Sequence, residues 1–330
     1  MSKSTKQLNE HIENSLRGYY EKHKDDRTIE RDLALQVHTA TAMGMVTAQM
    51  KSNELVAGVH WARQGLDFLK AARVELAEAE DHHNWKWWTK DTDMDPSVPG
   101  QIALELADAM KFIISSIAQY HTQSALRWVN QTTGVTLSTA QSEGDGHDAH
   151  LAKLVDTQVT SNTLASVINA LVFQAEKSEV ESAKVAKGRE SVLAKGESIL
   201  SLLERGTADM IGLVSRTPTN IKAQEELLGF LMYRSIALGF DPVAMFFAKS
   251  VLFDFRMDNG YKDGTYIKMW SDELTKEDKE DNYFLPGLAS QAWEVAETEY
   301  GDEGPAAVRK AFNSYLYSLL AGEYFKRFAL

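Results

Sequence analysis

Hydrophobic residues recur at spacings of three and four along most of the chain, as in Leu8, Ile12, Leu16 and Tyr19. Since an α-helix has about 3.6 residues per turn, this spacing places the hydrophobic side chains on one face of a helix. Strand-like alternation of hydrophobic and polar residues is scarce, so the pattern predicts an all-α fold. The predicted helices cover 29–50, 53–83, 100–129, 151–184, 186–204, 219–238, 241–257, 287–299 and 304–327, with Asn53 as the cap of the helix that it opens.

Two stretches depart from this hydrophobic pattern. Residues 130–150 are rich in Ser, Thr, Gly and Gln and poor in large apolar residues, which predicts an exposed connection or insertion. Its His147, Asp148 and His150 are residue types that bind metals, but polar loops often carry them, so an exposed loop is the simpler interpretation. The run 176–197 is rich in Lys and Glu, which is typical of a solvated helix face.

Composition and charge narrow the class of protein. The chain has 330 residues, of which 44% are hydrophobic, enough for a buried core. It has no cysteine, so a metal would be held by oxygen or imidazole ligands. A formal net charge of −12 repels polyanions and argues against nucleic-acid binding. Because there is no run of about 18 apolar residues and no apolar segment near the start, we expect a cytoplasmic protein with no membrane partner.

Acidic residues form two pairs with helical spacing. Glu75 and Glu78 are three apart in "VELAEAEDHHNWKWW", and Glu105 and Asp108 repeat the spacing in "IALELADAMKFIISS". Residues three apart lie on one face of a helix, and the second pair interrupts an otherwise apolar helix, so its acidic face is expected to point inward. We expect no matching Lys or Arg beside these acids on their own helices. Four inward carboxylates would then suit a hard divalent cation such as Mg²⁺.

A structural interpretation of the same residues stays open. Either acidic pair alone is common on the solvated surface of a helix. The tryptophans of "NWKWW", directly after the first pair, are more typical of core packing than of ligand stacking. The combination of the two pairs is rarer and favours the metal site.

A glycine-containing segment, "FRMDNGYKDGTYIKMW" at 255–270, combines turn-forming and anion-binding residues. Gly260 and Gly264 allow a tight turn or a close approach of the backbone to a ligand. The Lys, Arg and Tyr side chains around them are types that bind phosphate oxygens. They are Arg256, Tyr261, Lys262, Tyr266 and Lys268. The segment therefore predicts a turn next to an anion.

Three blocks in this order resemble the dimeric all-α dUTPases, part of the wider MazG-like group of helical nucleoside triphosphate pyrophosphohydrolases. They are the ExxE helix running into a W-K-x-W segment, the ExxD helix continuing into "FIIS", and the glycine-containing segment. The resemblance covers about 33–120 and 228–283 and implies a multi-helix bundle with one catalytic domain over 1–330. Residues 130–220 are then a helical insertion atypical of the family, and 284–330 are a C-terminal helical extension.

The resemblance assigns roles to individual residues of this chain. It implies that the metal ligands are Glu75, Glu78, Glu105 and Asp108, that Asp81 supports them, and that Glu75 or Glu78 is the catalytic base. In the family a glutamine contacts the base and basic side chains contact the phosphates. The residues that the resemblance places on the substrate are Gln36, Lys86, Trp88, Lys249, Arg256, Tyr261, Lys262, Lys268 and Asn282.

The activity that the resemblance implies is Mg²⁺-dependent hydrolysis of dUTP, and of dUDP, to dUMP by a homodimer, with Mn²⁺ as a substitute ion. Ser250 and Phe253 stand where the family commonly has asparagines, and losing those amides removes hydrogen-bonding groups that read a pyrimidine edge. A related enzyme acting on dCTP or a modified pyrimidine nucleotide is therefore an alternative. A non-catalytic helical scaffold is the third hypothesis, and the retained acids and cations speak against it.

Overall fold

The structure is a computed structural model, and it describes residues 29–82, 98–134, 146–194, 211–212, 214–273 and 275–328. Residues 8–19, whose hydrophobic spacing is also helical, lie outside them. The long helices are α1 Ile29–Ala57, α2 Phe68–Asp81, α3 Val98–Thr133, α4 Gly146–Ala194, α5 Ile221–Ala237, α6 Pro242–Asp258, α7 Asp281–Tyr300 and α8 Pro305–Phe328. Within the described residues, no helix has both the length and the apolar character needed to cross a membrane. The predicted all-α class is confirmed.

A short antiparallel ribbon, which the sequence pattern does not predict, begins at the end of the glycine-containing segment. Its strands are β1 Met269–Ser271 and β2 Asp278–Glu280, with Trp270 opposite Lys279. Each strand is only three residues long, too short for a period of two to be recognised. The ribbon connects the glycine-containing segment to the start of α7.

The chain divides into two compact units. One consists of Met1–Asp67 and Ile114–Val172, and the other of Phe68–Ile113 and Phe173–Leu330. The division falls inside α3, so this helix contributes residues to both units. The predicted single catalytic domain, its insertion and its C-terminal extension stay predictions.

In the first unit, α1, α3 and α4 share a small hydrophobic cluster. It contains Leu126 and Val129 of α3 and Val155 and Val159 of α4, with Met50 of α1 packed against it. These positions repeat at spacings of three and four on their helices, as the hydrophobic pattern predicts.

Asn53 does not cap a helix, because α1 continues through it. Its side-chain amide accepts a hydrogen bond from Gln49 Nε2 at 2.8 Å and donates one to Ser115 Oγ at 2.9 Å, so it belongs to a buried polar network. The helix ends just before Gly58, which adopts a φ of 81° that a residue without a side chain tolerates. The predicted helix 53–83 is therefore wrong as a single element, and only its second half forms α2.

Helix α4 is continuous to Ala194 across the break that the sequence predicts between two helices, 151–184 and 186–204, and residues 195–204 lie outside the described residues. Gly188 does not end it, since one glycine inside a helix costs only about 1 kcal/mol. The helix begins at Gly146, so the end of the predicted polar connection is helical, and His150 is exposed on it.

In the second unit, the start of α3 closely approaches the start of α7. A Cβ on Gly100 would lie 2.9 Å from Pro286 Cβ, so glycine permits the approach. Pro286 has no N–H to donate to the carbonyl of Asn282, and Gln101 Nε2 donates to that carbonyl instead at 3.2 Å. Helix α7 can therefore contain its proline and begins at Asp281, before the predicted start at 287.

Helix α6 carries two of the predicted phosphate ligands and packs against α7 and α8. Asp241 caps it, because its Oδ1 accepts hydrogen bonds from the N–H groups of Val243 at 2.7 Å and Ala244 at 2.9 Å. Pro242 stands in the first turn, where a missing N–H leaves no hydrogen bond unmade. The side chains from 244 to 252 are buried, which fixes the helix in the core.

Candidate active site

Helices α2 and α3 bring three of the predicted acids together. Glu75 and Glu78 lie on α2 and Glu105 lies on α3, and one carboxylate oxygen of each lies within 4.8 Å of the other two. Glu105 is 4% exposed and Glu75 is half-buried. Glu78 is exposed, so the expectation that all four acids point inward is wrong for this residue.

Asp108, the fourth predicted ligand, lies between two lysines. Its Oδ2 is 2.5 Å from Lys249 Nζ and its Oδ1 is 3.7 Å from Lys111 Nζ. The expectation of no basic partner on the acids' own helices is wrong, because Lys111 follows Asp108 by one turn of α3. Lys111 is buried, with Nζ 5.7 Å from the centre of the Phe246 ring. Burial lowers the pKa of Lys111 to about 8, although Asp108 opposes this effect.

The carboxylates of this group repel one another. Burial, followed by the negative charges of Asp108, Glu105 and Glu78, raises the pKa of Glu75 to about 8. Several oxygen donors with surplus negative charge suit a hard divalent cation, whose charge would offset the repulsion. The residues present therefore fit the kind of metal ion that the resemblance implies.

Replacing Glu75 by Gln is expected to stabilise the cation-free protein at pH 8 and to change little near pH 5. The pKa of folded Glu75 is about 8 against an ordinary 4.5, so the folded protein loses stability as the pH rises between these values. Glutamine removes this loss, and because Glu75 is partly exposed we expect a gain of about 1–2 kcal/mol at pH 8. Urea unfolding in a chelator at both pH values measures it. An equal change at both would contradict the electrostatic origin.

His82 is a neighbour of the acidic group that is not among the predicted site residues. Its Nε2 lies 3.7 Å from Glu105 Oε1, and its backbone N–H donates to the carbonyl of Glu78. A signal for it exists in the sequence, because His82 follows Glu78 by four residues and so lies on the same helix face. Asp81, predicted to support the ligands, is exposed at the end of α2, and its carboxylate is not among the three that converge.

Arg256 on α6 forms a bidentate salt bridge with Asp281 at the start of α7. Its Nε donates to Oδ2 at 2.8 Å and its Nη2 donates to Oδ1 at 2.5 Å. Asp281 is fully buried and also accepts hydrogen bonds from Tyr266 Oη at 2.8 Å and from the N–H of Asn282 at 2.9 Å. Burial alone would lower the pKa of Arg256, but the hydrogen bond and the charge of Asp281 raise it. The guanidinium is therefore charged and fixed in orientation.

Asn282, a predicted substrate contact, lies between the two cations of α6. Its Oδ1 is 3.4 Å from both Lys249 Nζ and Arg256 Nη2. Burial alone would lower the pKa of Lys249, but Asp108 and Glu105 raise it above its ordinary value. Through Lys249, the acidic residues and the cationic pair of Lys249 and Arg256 form one continuous group of charged side chains within the second unit.

The part of the glycine-containing segment that follows α6 forms the predicted turn. Gly260 has a φ of 90° and Gly264 a φ of 72°, both in the region that favours glycine. A Cβ on Gly260 would also lie 2.0 Å from Thr265 Oγ1, so a larger residue would displace that side chain. These glycines return the chain toward the end of α6.

The predicted phosphate contacts on this segment lie in different surroundings. Tyr261 is 49% exposed, and its ring centre lies 5.9 Å from Arg256 Cζ. Lys262 is exposed next to it. Lys268 lies farther along, where its Nζ pairs with Glu280 Oε2 at 2.7 Å at the edge of the ribbon. The structure thus brings Tyr261 close to Arg256, while Lys268 already has an anionic partner.

The structure does not place three of the predicted substrate contacts beside these acids and cations. Lys86 and Trp88 lie outside the described residues. Gln36 is exposed on α1 and belongs to the first unit. The roles of these residues stay predictions.

Comparison with known proteins adds a family assignment to this geometry. A family model described as dUTPase matches residues 1–188, more than half of the chain. The matched residues include both acidic pairs and end before α5 begins. A search of curated proteins gives no match.

Proposed function

The chain belongs to the all-α dUTPase family, which makes it a hydrolase of the dUTP diphosphatase type, and we propose that the acids and cations described above form its active site. In the proposed reaction, water adds to a phosphorus of dUTP, a phosphoric anhydride bond breaks, and dUMP and pyrophosphate are released. The observation that carries the proposal is the direct contact between the two halves of the site, the 2.5 Å ion pair of Asp108 with Lys249.

Glu75, Glu78 and Glu105 would hold a divalent cation, with Mg²⁺ as the proposed ion and Mn²⁺ as a substitute. When bound, such a cation offsets phosphate charge and promotes the ionisation of water. Asp108 stays the fourth proposed ligand, and its contacts with Lys249 and Lys111 give it a second role as the counter-ion of both lysines.

Glu75 or Glu78 would accept the proton that the attacking water loses. Both carboxylates belong to the converging group, and Glu75 is the less exposed of the two. A carboxylate accepts a proton most effectively when its pKa is close to the working pH. In the cation-free protein, burial and then the neighbouring carboxylates raise the pKa of Glu75. A bound cation would lower it again, so Glu75 and Glu78 are both proposed as the base.

Lys249 and Arg256 would bind the departing phosphates. Asp281 engages Nε and Nη2 of Arg256, which leaves the Nη1 edge of the guanidinium for a phosphate. Tyr261 and Lys262, on the turn beside Arg256, would add a hydroxyl and a further charge. These cations stabilise the negative charge that grows on pyrophosphate as the anhydride bond breaks.

One observation keeps dCTP or a modified pyrimidine nucleotide as the second candidate substrate. Ser250 Oγ donates to the backbone carbonyl of Phe246 at 3.0 Å, so its hydroxyl is engaged within α6. With its proton donated, the hydroxyl can still accept a hydrogen bond but cannot donate one as the family's amide does, and Phe253 brings a ring in place of the second amide. The hydrogen-bond donors that the family's two amides supply are therefore missing at these positions.

A panel of nucleotides in Mg²⁺ tests the proposed substrate. We expect hydrolysis of dUTP and dUDP, with kcat/KM for dUTP at least about tenfold higher than for dTTP and dCTP. Phe253→Asn, which restores one amide, is the matched variant and should increase the preference for dUTP. Faster hydrolysis of dCTP than of dUTP would replace the first candidate by the second, and no hydrolysis of any nucleotide would contradict the proposed function.

The non-catalytic scaffold explains fewer observations than the enzyme does. A scaffold has no need of three converging carboxylates, and their mutual repulsion makes such a group unfavourable without a bound cation. The homodimer and the cytoplasmic location stay predictions, which light scattering and cell fractionation can decide.

A further inference from the structure

The C-terminal helix α8 contacts the residues that hold Arg256. Tyr324 of α8 stacks on Tyr266, with ring centres 5.1 Å apart and planes at 9°. Its Oη accepts a hydrogen bond from the N–H of Ile267 at 3.3 Å. Tyr324 and Tyr266 are both buried, so solvent does not compete for these contacts.

Tyr266 connects Tyr324 with the ion pair of Arg256. Its hydroxyl donates to Asp281 Oδ2, the oxygen that also accepts from Arg256 Nε. The backbone is fixed at the same place, because the N–H of Asp281 donates to the carbonyl of Lys268 at 2.9 Å. A continuous series of contacts therefore runs from α8 through Tyr266 and Asp281 to the guanidinium.

Arg327, one turn after Tyr324, holds α8 against the ribbon. Its Nε donates to the carbonyl of Ser271 at 3.0 Å. Its Cζ lies 5.7 Å from the centre of the Trp270 ring and 5.1 Å from that of Phe284. The Trp270 side chain is fully buried, so α8 packs against a residue of the core.

We propose that Tyr324 is a positioning residue for Arg256, and that α8 thereby belongs to the phosphate-binding half of the site. This inference rests on the proposed function, in which Arg256 binds the phosphates of the nucleotide. An arginine fixed in advance by a carboxylate loses less rotational freedom when it binds an anion. Asp281 fixes Arg256 only while Asp281 is itself held, and Tyr324 packs on the tyrosine that holds it.

This role is a property of the part of the chain beyond the matched family residues. Helix α8 lies outside 1–188. The hydrophobic pattern predicts α8 as a helix with a packed face, but it does not predict that one residue of that face stacks on a tyrosine of the site. The C-terminal helix is therefore more than a structural extension.

The kinetic test compares three substitutions on α8. Tyr324→Leu removes the stacked ring and is expected to raise KM for dUTP by about tenfold with a smaller effect on kcat. Tyr324→Phe keeps the stacked ring, and its KM for dUTP should stay within about threefold of the wild-type value. Tyr317→Phe is the matched control, because Tyr317 also lies on α8 and touches Phe255 but donates its hydroxyl to Asp258. It should leave KM unchanged.

A double-mutant cycle separates positioning from a general loss of structure. If Tyr324 acts through Arg256, Tyr324→Leu should add less than about twofold to KM in an Arg256→Lys background. Fully additive effects would overturn the proposal. If Tyr324→Leu does not fold, Tyr324→Met, which keeps apolar volume without a planar ring, replaces it in both experiments.

A spectroscopic measurement decides the inference even if the protein proves not to hydrolyse dUTP. The Nε–Hε resonance of Arg256 can be assigned by its disappearance in Arg256→Lys. The bonds from Tyr266 and Arg256 to Asp281 should protect Hε, and Tyr324→Leu should speed its exchange with water by about tenfold while Tyr317→Phe does not. Unchanged exchange in Tyr324→Leu would overturn the positioning role, whereas absent turnover with the expected exchange would overturn only the proposed function.

Discussion

Glu78→Gln is expected to reduce hydrolysis of dUTP to background, a loss of at least about three orders of magnitude in kcat. The substitution keeps the shape of the side chain and removes one of the three charges that converge between α2 and α3. Because Glu78 is exposed, the folded structure has little need of this charge, and the thermal midpoint and helical circular dichroism should be nearly unchanged. Release of pyrophosphate under saturating dUTP and Mg²⁺ measures the loss.

The matched control for this experiment is Glu80→Gln. Glu80 lies on the same helix, but its spacing of two from Glu78 places it on a different face. The kcat of Glu80→Gln for dUTP should stay within about twofold of the wild-type value. Equal losses in both variants, or full activity in Glu78→Gln, would show that the acidic group is not the catalytic centre.

The second large effect is expected for Lys249→Met, which should lower kcat/KM for dUTP by about two to three orders of magnitude. Methionine keeps much of the apolar length of the buried Lys249 side chain. It loses the ammonium group, whose Nζ lies 2.5 Å from Asp108 Oδ2. Both the proposed phosphate contact and the link between acids and cations are removed. Steady-state kinetics with dUTP should therefore show a rise in KM together with a fall in kcat.

Lys222→Met, on an exposed position of α5, is the corresponding control and should leave both constants unchanged. Lys249→Met also leaves Asp108 with Lys111 as its lysine neighbour at 3.7 Å, so some loss of stability is expected. Kinetics must therefore be measured well below the thermal midpoint. If kcat/KM of folded Lys249→Met equals that of the wild-type protein, Lys249 has no part in catalysis or binding.

Hydrophobic periodicity predicts most helices, and it places the ends of α5, α6 and α8 within two residues, but it misplaces the boundaries near Asn53 and at the start of α7. The helices α3, α6 and α8 follow from apolar residues at spacings of three and four, because burial of one face stabilises a helix wherever it packs. The predicted cap at Asn53 is wrong because a buried amide at this position bonds to Ser115 instead of to backbone N–H groups. The start of α7 is predicted too late because Gln101, on a distant helix, satisfies the carbonyl that Pro286 leaves free.

Some features of the candidate site follow from residue spacing on one helix, whereas others depend on contacts between residues far apart in the chain. The convergence of Glu75, Glu78 and Glu105 is partly readable, since spacing of three places acids on one helix face. The ion pair of Asp108 with Lys249 joins helices far apart in the chain, and no local pattern encodes such a pairing. Lys111, in contrast, follows Asp108 by three residues on α3, so a local signal for this second lysine exists in the sequence.

The ion pair of Arg256 with Asp281 shows how the sequence can indicate a candidate site residue without indicating its partner. The glycine-containing segment predicts an anion near Arg256, and the nearest anion in the structure is a buried side chain of the protein itself. Asp281 orients the guanidinium of Arg256 but does not use all of its N–H donors. The donors of one edge can still bind a phosphate. Sequence reasoning recognises the residue type, but the orientation depends on the folded neighbours.

Turnover of dUTP by the purified wild-type chain, measured with excess Mg²⁺ and again after chelation, is the most direct test of the proposed active site. We predict formation of dUMP and pyrophosphate in equal amounts with Mg²⁺, loss of activity on chelation, and recovery when Mg²⁺ or Mn²⁺ is restored. Absence of dUMP under every cation condition, or equal rates with and without chelator, would contradict it.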